Sequence, residues 1–380
     1  MTVLTNALIG KLNASDDLAY HLGWTYGDFL EDIPRRIGTN EALDAAVASL
    51  VTAHSYFGSR RSMNNITLPD AKTLQKYSHA LTALRIYLDN PARARETETL
   101  CAVMLLLICQ SLLGADDGRW DSTVHGEGAA RILKARAFFR TKDPFEHKLI
   151  LTLRGPVLFE SLINPRIYFN SEESAILTPN GLDEAIPGAQ MMRCLAYVPD
   201  LMYRGRIALR EQEQEHILHV LIETRRHYAI LQAVSRRLHS YISAIEQPPK
   251  GISQSASSHD KARASCQRSY GLSISICIIF NRILKALDMN NTELDVEAKH
   301  FCDSILVLAN QATIYRPLGA SYIVLCLIAA WCGSTDEITR VAVEETLKDY
   351  RSDFAGESTA TVNMGLKYIC QRLSLLELSE

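Results

Sequence analysis

The segment LLGADDGRWDSTVHGEGAARIL, residues 112–133, sets Asp116, Asp117 and Asp121 with Trp120 and His125 between two apolar runs. Adjacent aspartates after an apolar helix are the residue types that hold a diphosphate through magnesium, which takes oxygen ligands in near-octahedral geometry. That motif wants its third Asp three residues past the pair. Here it comes one position late, and the later stretches NRILKALD and NNTELDVEAKH lack the Ser and Glu spacing of the second half of such a site. A helix-connecting loop is the competing reading, because Asp and Gly are the ordinary residues of such loops. His125 stays a candidate for acid/base work.

A second constellation lies in EQEQEHILHVLIETRRHY, where His219, Glu223 and His227 recur every four residues and share one helix face. Glu213 and His216 form a single Glu-x-x-His pair, whereas a di-iron bundle needs two such pairs and two more Glu. A charged, solvated helix face accounts for the pattern, and no metal is expected. The chain has no G-x-S-x-G elbow, no G-x-x-x-x-G-K phosphate loop, no G-x-G-x-x-G after a strand and no H-E-x-x-H. No cofactor is expected on that basis.

Two segments join apolar residues to a few hydrogen-bond donors. GAQMMRCLAYVPDLMYRGR carries Met191, Met192, Arg193, Tyr197, Met202 and Tyr203, and YRPLGASYIVLCLIAAW carries Tyr315, Arg316, Tyr322 and Trp331. Such a mixture lines pockets for mainly apolar small molecules, and it also fills ordinary helical cores. Taken as a site, Tyr197, Tyr203, Arg316 and His125 are the catalytic candidates. Met191, Met192, Arg193, Tyr322 and Trp331 are the ligand-binding ones.

The elements that position these residues read as helices. NEALDAAVASLVTAH has Thr39 or Asn40 as N-cap and apolar residues at 43, 46, 47, 50 and 51 on one face. Similar patterns recur in LPDAKTLQKYSHALTALRIYL, ETETLCAVMLLLICQSLL and PFEHKLILTLRGPVLFESLI. No period-2 strand series and no fixed-length repeat is present, so the expected fold class is all-α with irregular helix packing. The polar stretch 246–265, EQPPKGISQSASSHDKARAS, reads as a flexible loop. It divides residues 1–245, a helical effector-like region, from residues 266–380, C-terminal helices of the same domain.

The 380 residues are 47% hydrophobic and 22% charged, with a formal net charge of −3, so no global positive field favours nucleic acid or an anionic membrane. None of the nine cysteines has zinc-knuckle spacing, and most lie in apolar runs as small hydrophobes. The N-terminus lacks a signal-peptide run, and the apolar stretch 318–332 is too short to span a bilayer. The expectation is a soluble intracellular protein, cytoplasmic or nuclear, with no membrane partner.

Read in order, YGDFLEDIPRRIGTNEALDAAVASLVTAH, the long segment from YSHALTALRIYL to HGEGAARILKAR, FEHKLILTLRGPVLFESLI and RPLGASYIVLCLIAAW resemble the effector, or middle homology, region of fungal zinc-cluster transcription factors. The resemblance covers about Tyr26 to Trp331. Trp120, His125, Gly126, Gly128 and Ala129 are similar to that family's W-x-x-H-x-x-G-A pattern, with one extra residue between Trp and His. It implies that Trp120 and His125 orient two helices. The family's six-cysteine DNA-reading cluster has no counterpart here, so direct nucleic-acid binding is not expected. Two functions follow from the resemblance. One is a transcription-factor-like protein without the DNA-binding domain, put to new use in fungal secondary metabolism as an apolar small-molecule binder or a cofactor-free cyclase. The other is a ligand- or partner-binding regulatory domain. Cyclisation needs no motif, because holding reacting ends together is itself worth up to roughly 7–11 kcal/mol. The placement of Met1 just ahead of the resemblance favours the first, and a homodimer is left open.

Overall fold

A computed structural model describes residues 2–13, 17–63, 69–114, 124–137, 143–164, 166–169, 173, 177, 186–246, 256–354 and 359–375. Helices account for nearly all of the regular structure, and the described residues contain no strand. The chain divides into two compact units. The first takes Met1–Glu160 with Pro317–Gly319 and Ser352–Glu357, and the second takes Ser161–Arg316, Ala320–Arg351 and Ser358–Glu380.

In the first unit α1 (Val3–Leu12), α2 (Leu22–Tyr26), α3 (Glu41–Met63), α4 (Ala71–Leu88), α5 (Thr97–Leu113), α6 (Val124–Ala137) and most of α7 (Pro144–Ser161) follow one another. The apolar stripe of α3 is the one its sequence spells out: Leu43, Ala46, Val47 and Leu50 are fully buried, and α3 packs on α4 and α5. Asn40 is its N-cap, its Oδ1 accepting from Leu43 N at 2.9 Å. The first-turn N–H that a helix leaves without an internal partner is thereby satisfied. Helix α5 is apolar around its whole circumference from Leu100 to Leu106 and is buried on every side, as such a helix must be. Gly114 ends it in the left-handed conformation (φ 61°), which costs a glycine least.

A polar network crosses this unit. Arg36 pairs with Glu98 at 2.7 Å and Asp143 at 2.9 Å and lies 4.2 Å over the Phe145 ring. Arg136, 7% exposed, pairs with Glu146 and donates to the Glu96 carbonyl at 2.6 Å. Asn40 Nδ2 donates to the Glu96 carboxylate at 2.7 Å. Every buried cation in it faces a carboxylate. At Gly126, in the Trp-and-His segment, an added Cβ would overlap the Glu160 carboxyl group, so α6 and α7 meet where a side chain is missing.

The second unit contains α8 (Pro187–Glu211), α9 (Gln214–Glu246), α10 (Ala256–Leu287), α11 (Glu293–Ala312), α12 (Ile323–Gly333), α13 (Glu337–Arg351) and α14 (Thr359–Arg372). Helix α10 is its axis, packing against α8, α9, α11 and α12. Its close crossings rely on glycine: a Cβ at Gly271 would stand 2.7 Å from Leu308 Cδ2 and 3.1 Å from Tyr322 Cε2. By length and composition His259–Leu287 is apolar enough to cross a bilayer, but 67% of that window is buried against its neighbours, as in a core helix.

One expectation needs correction. The loop read over 246–265 is helical from Ala256 onward, because Ala, Lys and Arg favour helix and Ala264 and Gln267 are buried; residues 247–255 lie outside the described residues. The two units divide near residue 160, and α9 and α10, on either side of 247–255, pack against each other within the second.

Candidate functional site

The nominated residues on α8 face different surroundings. There are five of them, placed at about 100° per residue. Met191 faces the core at 5% exposure, while Met192 and Arg193 are half-buried. Tyr197 stacks on His227 of α9 with ring centroids 4.5 Å apart. Tyr203, six residues on and so roughly 240° around the helix, points to solvent at 56% exposure. Arg316 pairs with Asp349 and lies 4.5 Å over the Tyr350 ring. Tyr322 is buried against Gly271, and its hydroxyl, like that of Tyr315, has no hydrogen-bond partner among the described residues. Burial pushes both phenols up. Trp331 is buried, its indole N–H donating to Glu344 at 2.7 Å. His125 lies in α6, and nothing of its side chain is among the described residues. Asp116, Asp117, Trp120 and Asp121 fall in the undescribed segment 115–123.

On the histidine face of α9 His219 is exposed, while Glu223 and His227 are engaged in pairing and packing. Glu223 accepts from Arg204 at 2.6 Å. Burial lowers the His227 pKa, keeping the ring neutral between Tyr197 and Phe280. Glu211, Glu213 and His216 cluster at the surface, all exposed.

The second unit instead holds a cleft of about 530 Å³ that sequence reading did not single out. Three segments of the chain wall it: residues 281–299 across the end of α10 and the start of α11, residues 333–339 in the turn from α12 to α13, and residues 373–375 after α14. Asn281, 3% exposed, anchors the floor by donating to the Leu294 carbonyl at 2.9 Å. Met289 and Val296 stand at its edge with 66% and 70% of their surface in solvent, and Leu373 and Leu375 supply a buried apolar wall.

The cleft lining carries one more cation than carboxylates, although Lys299 also lies 3.8 Å from Asp303. Arg282, Lys285 and Lys299 face Asp295 and Asp336. Asp295 is already bound to Lys285 at 2.7 Å. Asp336 caps α13, accepting from Thr339 N at 3.1 Å and from Thr339 Oγ1 at 2.7 Å, and these bonds hold its carboxyl below the usual range. Arg282 donates to the carbonyls of Cys332 and Cys370 and approaches Cys370 Sγ at 3.5 Å. Its hydrogen-bond partners among the described residues are carbonyls and a sulfur, with no carboxylate. Apolar walls with a residual positive charge suit a molecule with an apolar body and an anionic head, and roughly 300–1,000 Å³ is the range of small-molecule pockets.

The first unit has a larger cleft, about 640 Å³, between α1 and residues 21–37. Its charged residues, Glu31 and Arg35, are of opposite sign, and His21 Nδ1 is committed to capping α2 at Trp24 N (3.1 Å). It selects no ligand charge. The signal for the other cleft was present in SISICIIFNRIL: Asn281 and Arg282 interrupt a helix otherwise built for burial, and buried polar residues are the informative exceptions. Comparison with protein-family models, curated proteins and solved structures gives no match to this chain.

Proposed function

We propose that this chain is a helical small-molecule-binding protein whose ligand, an apolar body with an anionic head, seats in the cleft between α10, α11 and the α12–α13 turn. One observation carries the reading: apolar side chains open to solvent border a cleft lined by three cations, Arg282, Lys285 and Lys299, and two carboxylates, Asp295 and Asp336. The resemblance to the middle homology region of zinc-cluster regulators is compatible with this reading, since that region is helical. Cofactor-free cyclisation is the same reading carried one step further. It would need the bound ligand to leave with its mass unchanged and its connectivity altered.

Native mass spectrometry with a series of straight-chain carboxylates and the matched alcohols tests the proposal. Retention that grows with chain length, favours carboxylate over alcohol and is lost in Val296→Trp supports it. Equal retention by the blocked variant, or no retention of any member, overturns it. Val296 is exposed, so the Trp variant keeps stability within about 0.5 kcal/mol.

A further inference from the structure

The C-terminus of α12 is clamped by two arginines. Arg282 of α10 donates to the Cys332 carbonyl, and Arg340 of α13 donates through Nε to the Ser334 carbonyl at 2.9 Å and lies 5.3 Å over the Trp331 ring. Cations are favourable at a helix C-terminus, where the last carbonyls lack internal partners. The clamp has a second effect. Arg282 also reaches α14, donating to the Cys370 carbonyl at 3.5 Å and standing 3.5 Å from Cys370 Sγ. It therefore holds the backbones of Cys332 and Cys370 against one guanidinium.

The two sulfurs are not equivalent. Cys332 is 1% exposed, whereas Cys370 is half-buried. Hydrogen bonding with Cys332, and after it the charges of Arg282 and Arg340, favour the Cys370 thiolate and draw its pKa down; the same bonding and burial push Cys332 up. A thiolate beside cations with a protonated thiol in contact is the arrangement that makes one cysteine a nucleophile and the other its resolving partner. The other cysteines are differently placed: Cys101, Cys109, Cys194, Cys277, Cys302 and Cys326 are buried, and half-buried Cys266 is pushed up by its surroundings.

We propose that Cys370 and Cys332 form an oxidisable pair, in which Cys370 is the site of attack on hydrogen peroxide and Cys332 closes the disulfide. In the first step the Cys370 thiolate sulfur attacks a peroxide oxygen. An S–O bond forms, the O–O bond breaks, and the released hydroxide takes a proton to become water. In the second the Cys332 sulfur attacks the Cys370 sulfenic acid. The S–S bond forms, the S–O bond breaks, and hydroxide leaves with the Cys332 proton as a second water. The sulfur pair loses two electrons and the peroxide gains them. The disulfide ties α12 to α14 beside Gly333 and Leu373, two residues of the cleft wall.

Differential labelling of the folded, reduced wild-type protein is the first test. Iodoacetamide at neutral pH should modify Cys370 at least about tenfold faster than Cys266. Stoichiometric hydrogen peroxide should then give a species lighter by two hydrogens, with a Cys332–Cys370 link in the non-reduced peptide map that a dithiol reverses. In Cys332→Ser the oxidation should stop at a Cys370 sulfenic acid captured by dimedone. Preferential labelling of Cys266 or any other thiol, or peroxide products at Cys370 without the link to Cys332, would overturn the proposal. The wild-type measurements decide it even where the serine variant fails to fold.

Discussion

Two arginines, one buried in the first unit and one half-buried in the second, show what a cation inside a helical fold is for. Arg136 in the first unit meets the Glu146 carboxylate and the Glu96 carbonyl, and Arg36 beside it meets Glu98 and Asp143. Their charge is cancelled within the fold, and what remains is a joint between the N-terminal turns of α5 and α7 and the end of α6. Arg282 in the second unit meets, among the described residues, carbonyls and a sulfur with no carboxylate. It joins helices just as well, and does so beside a cleft and a thiol. An arginine paired with carboxylates is a fastening, whereas one without them also offers a field to an anion or a thiolate.

Substitutions separate the two roles, the largest effect coming first. Glu146→Ala leaves Arg136 charged, buried and without its carboxylate, and should lower unfolding free energy by about 3–5 kcal/mol, read by urea denaturation. Gly271→Ala forces α10 away from Leu308 and Tyr322 and should cost about 1–3 kcal/mol, read by the same titration. Arg282→Met should cost about 1–2 kcal/mol for its lost hydrogen bonds. Its diagnostic result is chemical: Cys370 alkylation at neutral pH should slow by about tenfold, which loss of packing alone would not produce. The smallest effect is on pH. Burial lowers the pKa of His54 in the first unit and His227 in the second. Each is kept neutral when folded and takes up a proton on unfolding, so stability should be full above about pH 6.5 and fall as pH drops below it. Replacing either histidine with Gln should flatten part of that slope in a pH series of melting temperatures.

Much of the first unit could be read from sequence, because its signals are local. The apolar stripe of α3 and the Asn40 cap need only helical spacing and one side-chain oxygen. The uniformly apolar α5 could only be a core helix. The second unit was less legible where tertiary packing overrides local rules. Pro199 sits inside α8 without ending it. Tyr197 and Tyr203 occur close together in sequence yet face an aromatic stack and solvent respectively. The start of α10 was hidden in a Ser-rich stretch. The cleft was out of reach for a different reason: its walls come from residues 281–299, 333–339 and 373–375, and no spacing rule joins three segments that only the packing of α10 brings together. Asn281 and Arg282 were the visible trace.

Photocrosslinking locates the ligand most directly. A long-chain carboxylate carrying a diazirine near its methyl end, irradiated with the wild-type protein and mapped by peptide mass spectrometry, should attach to Met289, Val296 or the Leu373–Leu375 wall, and excess unlabelled carboxylate should suppress it. Attachment confined to the first unit, or attachment that unlabelled carboxylate does not suppress, would contradict the assignment of the cleft beside Arg282 as the binding site.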